Sequence, residues 1–265
     1  MRKTYDVIIV GTGIAGLTSA IYLYEAGLNV AVFSKSDKFE DSNTNFAQGG
    51  IIAFKENDSA KSLEDDILKA GCYYNNKEAV TQLSEEGPKL VFDFLINKVG
   101  MEFNKNGDGS YDYTEEAAHS SRRILHYEDH TGDKIIESLL DYAKKLNISF
   151  YKSYTAVDLI TNNHHSGDCQ ELYKPREVLG IYFLNNQEGK IETFFAHNVI
   201  IATGGVGNLY QYTTNPPSAT GDGISMAYRA GADIINAEFV QFHPTCLFHK
   251  DIKRFLISES LRGEG

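Results

Sequence analysis

Apolar and polar residues follow strand-like and helix-like spacings from the start of the chain. Residues 5–10 are a short, β-branched apolar run typical of a buried parallel strand. The apolar residues that recur next at helical spacing are Leu17, Ala20, Ile21 and Tyr24. Gly27 suits the end of that helix, and residues 29–33 are a second apolar run. The pattern therefore predicts a strand, a helix and a strand in that order.

Beyond Ile52 the pattern predicts alternating helices and strands. Predicted helices cover residues 60–70, 77–98 and 131–146; Pro88 is expected to kink or divide the second, and Thr131 to cap the third. Predicted strands cover residues 149–151, 156–160, 178–184, 190–195 and 198–202. A hairpin is expected around Gly189, and residues 162–176 form a polar insertion of no clear structure.

Three glycines follow the first predicted strand in the spacing G-x-G-x-x-G, directly before the predicted helix. Gly11 would allow the tight turn, Gly13 the approach of a pyrophosphate, and Gly16 the close packing of the helix on the strand. The helix N-terminus would direct its partial positive charge at the phosphates. A dinucleotide-binding fold is therefore predicted, with a ligand-free glycine turn as the alternative. The glycine spacing alone does not separate NAD from FAD.

Composition indicates an α/β enzyme of ordinary globular type. The chain has 265 residues, of which 42% are hydrophobic and 23% charged, so it can bury a substantial core. The net charge of −11 disfavours a nucleic acid or an anionic membrane as partner. No apolar run approaches the ~20 residues of a membrane helix, and no signal peptide is recognisable. Three cysteines without metal spacing favour a reducing cytoplasm and no metal site.

Residues 42–53, SNTNFAQGGIIA, identify the cofactor by resemblance. They resemble the flavin-contacting loop of the succinate dehydrogenase/fumarate reductase flavoprotein family, in which an A-Q-G-G-I run brings bare backbone against the isoalloxazine ring. Gly49 and Gly50 suit this role because a residue without Cβ lets peptide groups approach a flat ligand. The resemblance implies FAD. Family members that attach FAD covalently carry histidine where this chain has Asn43, so non-covalent FAD is expected.

Further FAD contacts are implied at the ends of two predicted strands. Residues 197–205, HNVIIATGG, resemble the A-T-G-G segment of these flavoproteins. The acidic ribose ligand expected after the second strand is replaced by Ser34 and Lys35, in which the chain resembles the L-aspartate oxidases, members of this family that tolerate the same pair. Ser34 could bond ribose, whereas Lys35 could reach the nucleotide or be a solvated turn lysine. By resemblance Asp222 contacts FAD, with capping of its own helix as the alternative.

The resemblance thus implies a Rossmann-like FAD-binding domain with a β-hairpin insertion over residues 1–236, followed at residues 237–265 by the start of an α+β capping domain. The predicted FAD contacts are Gly11, Thr12, Gly13, Ile14, Ala15, Gly16, Ser34, Lys35, Asn43, Thr44, Asn45, Phe46, Ala47, Gln48, Gly49, Gly50, Ala156, Val157, Ala202, Thr203, Gly204 and Asp222.

Two late segments resemble the substrate motifs of the same family. Residues 241–245, QFHPT, resemble its H-P-T motif, and residues 256–265, LISESLRGEG, its T/S-E-x-x-R-G-E-G run. Histidine and hydroxyl donors suit a small dicarboxylate, which offers several acceptor sites. His243 and Thr245 are therefore predicted at the substrate, and by resemblance Glu259 is the family glutamate that shapes the site beside it. Alternatively, His243 is an ordinary core or surface histidine and Glu259 is a helix-face partner of Arg262.

Residues 114–132, TEEAAHSSRRILHYEDHTG, resemble L-aspartate oxidases more than succinate dehydrogenases or fumarate reductases. In that family a glutamate just upstream is thought to meet the substrate ammonium. Glu116 matches it best, with Glu115 as the neighbouring candidate and a solvated acidic turn as the alternative. A carboxylate there would attract an α-ammonium and would repel a further carboxylate.

The predicted function is FAD-dependent oxidation of L-aspartate to iminosuccinate, with oxygen or fumarate as electron acceptor. The family's product feeds quinolinate and so NAD biosynthesis, which makes quinolinate synthase an expected partner from pathway logic alone. A soluble fumarate reductase or succinate-oxidising flavoprotein is one alternative, and a non-catalytic FAD-binding module is another. Because this family normally continues well past the R-G-E-G segment, the chain is expected to be part of a longer enzyme. Alone, it is expected to bind FAD weakly and to turn over little.

Overall fold

The structure is a computed structural model that describes residues 3–243, 246–247, 249 and 255–257. Its strands are β1 (Lys3–Val10), β2 (Val30–Phe33), β3 (Ile51–Ile52), β4 (Tyr113–Thr114), β5 (Ile124–Leu125), β6 (Ser149–Tyr151), β7 (Tyr154–Thr161), β8 (Val178–Asn185), β9 (Lys190–Ile201), β10 (Cys246–Leu247) and β11 (Phe255–Leu256). Its α-helices are α1 (Ile14–Glu25), α2 (Ala60–Ala70), α3 (Lys77–Leu90), α4 (Thr131–Lys145), α5 (Asn162–His165) and α6 (Asp222–Arg229).

The chain divides into two compact units. The first comprises Met1–Asn45 and Leu139–Pro244, and the second comprises Phe46–Ser138 and Thr245–Gly265. The domain boundary between residues 236 and 237 stays a prediction. No helix among the described residues is both long enough and apolar enough to cross a membrane.

A six-stranded mixed sheet forms the centre of the first unit, with the strand order β6-β2-β1-β9-β8-β7. β6, β2, β1 and β9 pair in parallel, whereas β7, β8 and β9 are successive antiparallel neighbours. This arrangement confirms the predicted α/β fold with an inserted hairpin. Because parallel strands end at the same edge, the carboxyl ends of β1, β2 and β9 lie side by side.

The predicted strand, helix and strand at the start of the chain are confirmed. The last four residues of β1 and all of β2 are buried, as expected for strands covered on both faces. In α1 the side chains of Leu17, Ala20 and Ile21 are fully buried. Gly27 follows the C-cap residue of this helix with φ +86°, a conformation that a glycine adopts without steric cost.

Two predictions about the hairpin region are wrong. The strands predicted at residues 190–195 and 198–202 form one continuous strand, β9. Its first half pairs antiparallel with β8 and its second half parallel with β1, so backbone hydrogen bonding continues where the local pattern indicated a break. The insertion predicted to lack structure contains α5 and a 3₁₀ turn at Cys169–Tyr173, where the Asp168 side chain accepts from the Gln170 N–H.

Pro88 divides the helix predicted at residues 77–98, as expected. α3 ends at Leu90 and continues as a π-helix over Val91–Val99. Pro88 has no N–H to donate to the preceding turn, which favours a change of helix type nearby. The helix predicted from Thr131 is confirmed as α4, but Thr131 is its first residue, and its hydroxyl accepts from the Tyr127 N–H upstream.

A buried arginine holds part of the second unit together. Arg123 is 0% exposed, and its guanidinium donates to both carboxylate oxygens of Asp58 and to Asp66 at 2.7–3.0 Å. Burial alone would raise the pKa of the Asp66 carboxyl, but hydrogen bonds from Ser120 and Arg123 and the arginine charge outweigh it and lower that pKa. The Arg123 carbonyl accepts from the Ala53 N–H beside the small sheet β3-β5-β4. Arg123 thus joins this sheet to α2.

Aromatic side chains of the first unit form a cluster around Phe33, the last residue of β2. Phe33 stacks on Tyr151 and on Phe183, with ring centroids 4.6 and 3.9 Å apart. At its rim Glu192 accepts from Lys3 at 2.7 Å and from Tyr154 at 2.8 Å. These hydrogen bonds, with one from Asn185, lower the pKa of Glu192 to about 2 against the opposing effect of burial.

We expect Arg123→Met to lower the free energy of unfolding by about 3–5 kcal/mol, because it leaves two carboxylates buried without their cation. Urea unfolding followed by circular dichroism measures this. The control is Lys61→Met, which removes an exposed pair with Asp65 at 2.7 Å and should not shift the midpoint measurably. An Arg123→Met midpoint equal to that of the control would contradict the assigned role.

We expect Glu192→Gln to lower stability at neutral pH by at most about 3 kcal/mol, because Lys3 is half in solvent and screened. Because folding lowers the pKa of Glu192, its ionised carboxylate stabilises the folded protein fully at pH values above the unfolded-state pKa near 4.5. This stabilisation is lost as the pH falls towards 2. The deficit of the variant against the starting protein should therefore shrink between pH 4.5 and 2. A deficit that is constant over this range would show that the ion pair is not its cause.

Candidate functional site

A cleft of about 290 Å³ lies at the carboxyl ends of the parallel strands in the first unit. Most of the predicted FAD contacts of this unit line it: Gly11, Thr12, Gly13, Ile14, Ala15, Ser34, Lys35, Asn43, Thr44, Ala156, Ala202, Thr203, Gly204 and Asp222. Residues from six separate segments of the sequence are thus brought together in one concave site, as the fold predicts for a nucleotide.

Two glycines make the turn between β1 and α1 sterically possible. Gly11 has φ +115°, and a Cβ there would overlap the backbone carbonyl of Ala202. A Cβ on Gly16 would overlap the carbonyl of Gly11, so α1 packs directly against the turn. Gly16 therefore allows α1 to pack on the turn that borders the cleft, but it is not one of the residues that line the cleft.

Gly13 has a different reason to be glycine. A Cβ there would lie 3.5 Å from Thr44 Oγ1 and 3.8 Å from Ser42 Cβ, which are ordinary contacts. The protein itself would thus tolerate a side chain. Since Gly13 lines the cleft, its missing Cβ leaves space for a ligand, which agrees with the predicted approach of a pyrophosphate.

The N-terminus of α1 has the character of an anion site. Gly13 is the N-cap residue and offers no side-chain cap, and the first turn holds no acidic residue. Thr44 Oγ1, 30 residues further along the chain, accepts a hydrogen bond from the Ile14 N–H at 3.2 Å. One of the N–H groups that have no partner within the helix is thus satisfied by a side chain. The remaining first-turn N–H groups and the helix dipole favour a phosphate here.

Lys35 and Asp222 bond to each other at the end of β2. Lys35 Nζ donates to Asp222 Oδ2 at 2.7 Å and to Thr220 Oγ1 at 2.8 Å, so Lys35 is not merely a solvated turn lysine. The capping alternative for Asp222 is wrong, because the N-cap residue of α6 is Gly221. Partial burial alone would raise the pKa of Asp222, but the hydrogen bonds from Lys35 and Thr220 lower it, so the carboxylate stays charged and can accept from ribose hydroxyls.

Strand alternation separates the two contacts predicted on β7. Ala156 lines the cleft, and so does Tyr154, for which the sequence offered no signal. Val157 is not among the lining residues; it is 41% exposed, since neighbouring strand residues point to opposite faces. Its contact with FAD stays a prediction.

The predicted flavin loop is divided between the units. Asn45 is the last residue of the first of the two segments that form the first unit, and its buried Oδ1 has no partner among the described residues. In the second unit Ala47 accepts from Gly132, and Gln48 Nε2 donates to the Leu256 carbonyl at 3.2 Å while its buried Oε1 has no partner among the described residues. Phe46 is half exposed and Gly49 half buried. The flavin contacts of Asn45, Phe46, Ala47, Gln48, Gly49 and Gly50 stay predictions.

Glu116 lies against the same loop. Its Oε1 accepts from the Gly50 N–H at 3.1 Å, and its own carbonyl accepts from the His119 N–H in a tight turn in which Ala118 has φ +70°. A Cβ on Gly50 would overlap Ile124 and Leu125, so packing on β5 is itself a reason for glycine there. Glu116 is therefore tied to the A-Q-G-G run and is not a free acidic turn residue.

The other predicted substrate residues are less well defined. His243 is half buried in the first unit. Thr245, Glu259 and Arg262 lie outside the described residues, and their roles stay predictions. Cys72, Cys169 and Cys246 are exposed and not in disulfides. Within the described part of the chain no group of His, Cys, Asp and Glu side chains could hold a metal ion.

Sequence reasoning missed Arg123 as well as Tyr154. Arg123 is part of the R-R-I-L-H run, but the run gave no indication of its role. That role depends on Asp58 and Asp66, which come close to Arg123 only in the folded chain. Ser120, three residues before Arg123, donates to the same Asp66 carboxylate. The cluster therefore anchors the end of the loop that carries Glu116.

We expect Gly13→Ala to weaken FAD binding by about tenfold or more, about 1.4 kcal/mol, while the thermal midpoint without ligand stays unchanged. The added methyl group meets no protein atom closely but occupies ligand space. Fluorescence titration with FAD and calorimetry measure the two quantities. Gly107→Ala, at an open position, is the control for both. Undiminished FAD affinity in Gly13→Ala would place the pyrophosphate elsewhere.

Gly11→Ala should instead lower the thermal midpoint without ligand, because its methyl group would overlap a backbone carbonyl in a left-handed conformation. Calorimetry of the ligand-free protein measures this. A midpoint as high as that of Gly107→Ala would contradict the steric role of Gly11.

Curated relatives of the chain carry the name that the sequence motifs suggested. The chain is 44% identical to the L-aspartate oxidase of Yersinia pestis and 42% identical to that of Acinetobacter baylyi, in each case over 98% of its own length. These alignments cover 48% and 47% of the two relatives, so the chain spans about half their length. The predicted resemblance to L-aspartate oxidases is confirmed.

A solved structure and a family model agree with this relationship. The fold is similar to that of a variant of E. coli quinol fumarate reductase FrdA, with a TM-score of 0.84 and 27% identity over 93% of this chain and 40% of that one. Residues 6–265 match the family model described as FAD binding domain, nearly the whole chain. The chain therefore belongs to the FAD binding domain family, and the cofactor of this family is FAD.

Proposed function

We propose that the protein to which this chain belongs oxidises L-aspartate to iminosuccinate. The observation that carries the proposal is the Glu116 carboxylate on the Gly50 N–H, because it fixes a negative charge beside the A-Q-G-G run. The names of the two relatives from Yersinia pestis and Acinetobacter baylyi support the same substrate. The charge would attract the α-ammonium of aspartate, which succinate lacks.

In this proposal the cleft of the first unit holds FAD without a covalent bond, since Asn43 replaces the histidine of the covalent members. The turn at Gly11 and Gly13 and the N-terminus of α1 take the pyrophosphate. Ser34 and Asp222, at the end of β2, take ribose hydroxyls. When bound, FAD would supply the redox chemistry by taking the Cα hydrogen as hydride, while the substrate nitrogen loses a proton to solvent; the protein supplies orientation and electrostatics.

The substrate is oriented by its three charged groups. Glu116 Oε1 is engaged by Gly50, which leaves Oε2 for the ammonium. His243 and Thr245 are the proposed donors to the substrate carboxylates, and Glu259 is proposed to shape the site beside them. Because the chain carries a net charge of −11, the carboxylates of the substrate need hydrogen-bond donors close to them.

Oxygen or fumarate is the proposed electron acceptor. The product class, an α-imino dicarboxylate, would feed quinolinate and NAD biosynthesis, with quinolinate synthase as a proposed partner and the cytoplasm as the proposed location. Similarity to quinol fumarate reductase FrdA keeps one other candidate, a succinate/fumarate flavoprotein. A non-catalytic FAD-binding module is the remaining candidate.

Anaerobic titration of the FAD-loaded protein with L-aspartate and, separately, with succinate distinguishes the candidates. The flavin band at ~450 nm bleaches when hydride is transferred to the flavin. We expect bleaching by aspartate and not by succinate. Bleaching by succinate alone would replace the proposal with the fumarate reductase alternative. Absence of bleaching with FAD bound would leave the non-catalytic module.

We expect Glu116→Gln to raise the KM for aspartate by about tenfold or more, because a charge-assisted hydrogen bond to the ammonium, about 1.5–3 kcal/mol, is lost. Glutamine can still accept from the Gly50 N–H, so FAD binding should be unchanged. Steady-state kinetics and FAD titration measure the two effects, with Glu115→Gln as the neighbouring control. An unchanged KM and rate in Glu116→Gln would rule out the ammonium contact.

A further inference from the structure

Tyr154 is a cleft residue without an assigned role. It begins β7 and lines the cleft together with Ala156, two residues further along the same face. A tyrosine at a nucleotide cleft is most simply a member of the neighbouring aromatic core. Its position and its hydrogen bonds point to an additional role.

The position of Tyr154 is the adenosine end of the cleft. Its backbone N–H donates to the Ser34 carbonyl at 2.9 Å, and its ring meets Phe33 edge to face, with centroids 5.7 Å apart. Phe33 is the last residue of β2, and Ser34 follows it; the carboxyl end of this strand takes the ribose of the adenosine half in this type of fold. The pyrophosphate turn, in contrast, follows β1.

The ring of Tyr154 is held in one orientation. Its hydroxyl donates to Glu192 Oε1 at 2.8 Å and accepts from Asn185 Nδ2 at 3.1 Å, while Lys3 fixes the other oxygen of Glu192. Burial and then the hydrogen bond to Glu192 raise the pKa of Tyr154 to about 12, so the phenol stays neutral. Because the polar end is engaged away from the cleft, the part of Tyr154 left for a ligand is its apolar ring.

We propose that the ring of Tyr154 contacts the adenine base of FAD and so contributes to the affinity for the dinucleotide. A flat ring already fixed by its hydroxyl can meet the π face of a base without losing further rotational freedom. Such contacts tolerate variation of the base but require an aromatic partner. The inference depends on FAD as cofactor and not on which substrate is oxidised.

The test compares Tyr154→Leu with Tyr154→Phe for binding of FAD and of ADP, the half that carries the base. Tyr154→Leu should weaken both ligands by the same factor, between about fivefold and about 100-fold. Tyr154→Phe keeps the ring and should bind both ligands nearly as well as the starting protein, even if its thermal midpoint falls. Fluorescence titration with FAD and calorimetric titration with ADP give the dissociation constants.

Tyr151→Leu is the matched control. Tyr151 belongs to the same aromatic cluster, 5.6 Å from the Tyr154 ring, but does not line the cleft. Its loss should lower the midpoint without weakening ADP. Equal weakening of ADP in Tyr151→Leu and Tyr154→Leu would reduce Tyr154 to a packing role and overturn the proposal. Undiminished ADP affinity in Tyr154→Leu, or a loss for FAD alone, would overturn it as well.

Discussion

The close approach of backbone to backbone at Gly11 is the constraint on which the site depends. Its N–H donates to the Phe33 carbonyl at 2.9 Å, and on its other side lies the Ala202 carbonyl, with no room for a Cβ. Gly16 brings α1 equally close. The ends of β1, β2 and β9 therefore meet at one point, and the helix N-terminus opens onto it. A cleft for an anion follows from this geometry before any ligand contact is considered.

The parts of the fold that depend on local pattern could be predicted from sequence. Apolar periodicity and Gly27 define the first strand, helix and strand, and Pro88 marks the change of helix type. The single long strand β9 could not be predicted, since its continuity depends on two different partners, β8 and β1, that are distant in sequence. The strands β3, β4 and β5 have only two residues each, too few for a periodic pattern, and they are defined by their pairing with one another and by the bond from the Ala53 N–H to the Arg123 carbonyl.

The candidate site divides in the same way. Motif glycines and the A-T-G-G segment located most of the cleft, because their roles are backbone roles that sequence alone specifies. Side-chain roles needed the folded sheet: Tyr154 faces the cleft and Val157 does not because of strand alternation, and the Lys35–Asp222 pair joins residues far apart in the chain. The carboxylate of Glu116 was predicted for a ligand, yet it also accepts from the Gly50 N–H, a contact between residues 66 positions apart in the chain.

A crystal structure of the protein with FAD bound tests the central claim most directly, namely that the glycine turn and the adjoining strand ends form the FAD site. We expect the pyrophosphate between the Gly11–Gly13 turn and the N-terminus of α1, with adenosine at the end of β2 beside Asp222. A pyrophosphate located away from this helix N-terminus, with the cleft left to solvent, would contradict the assignment of the site.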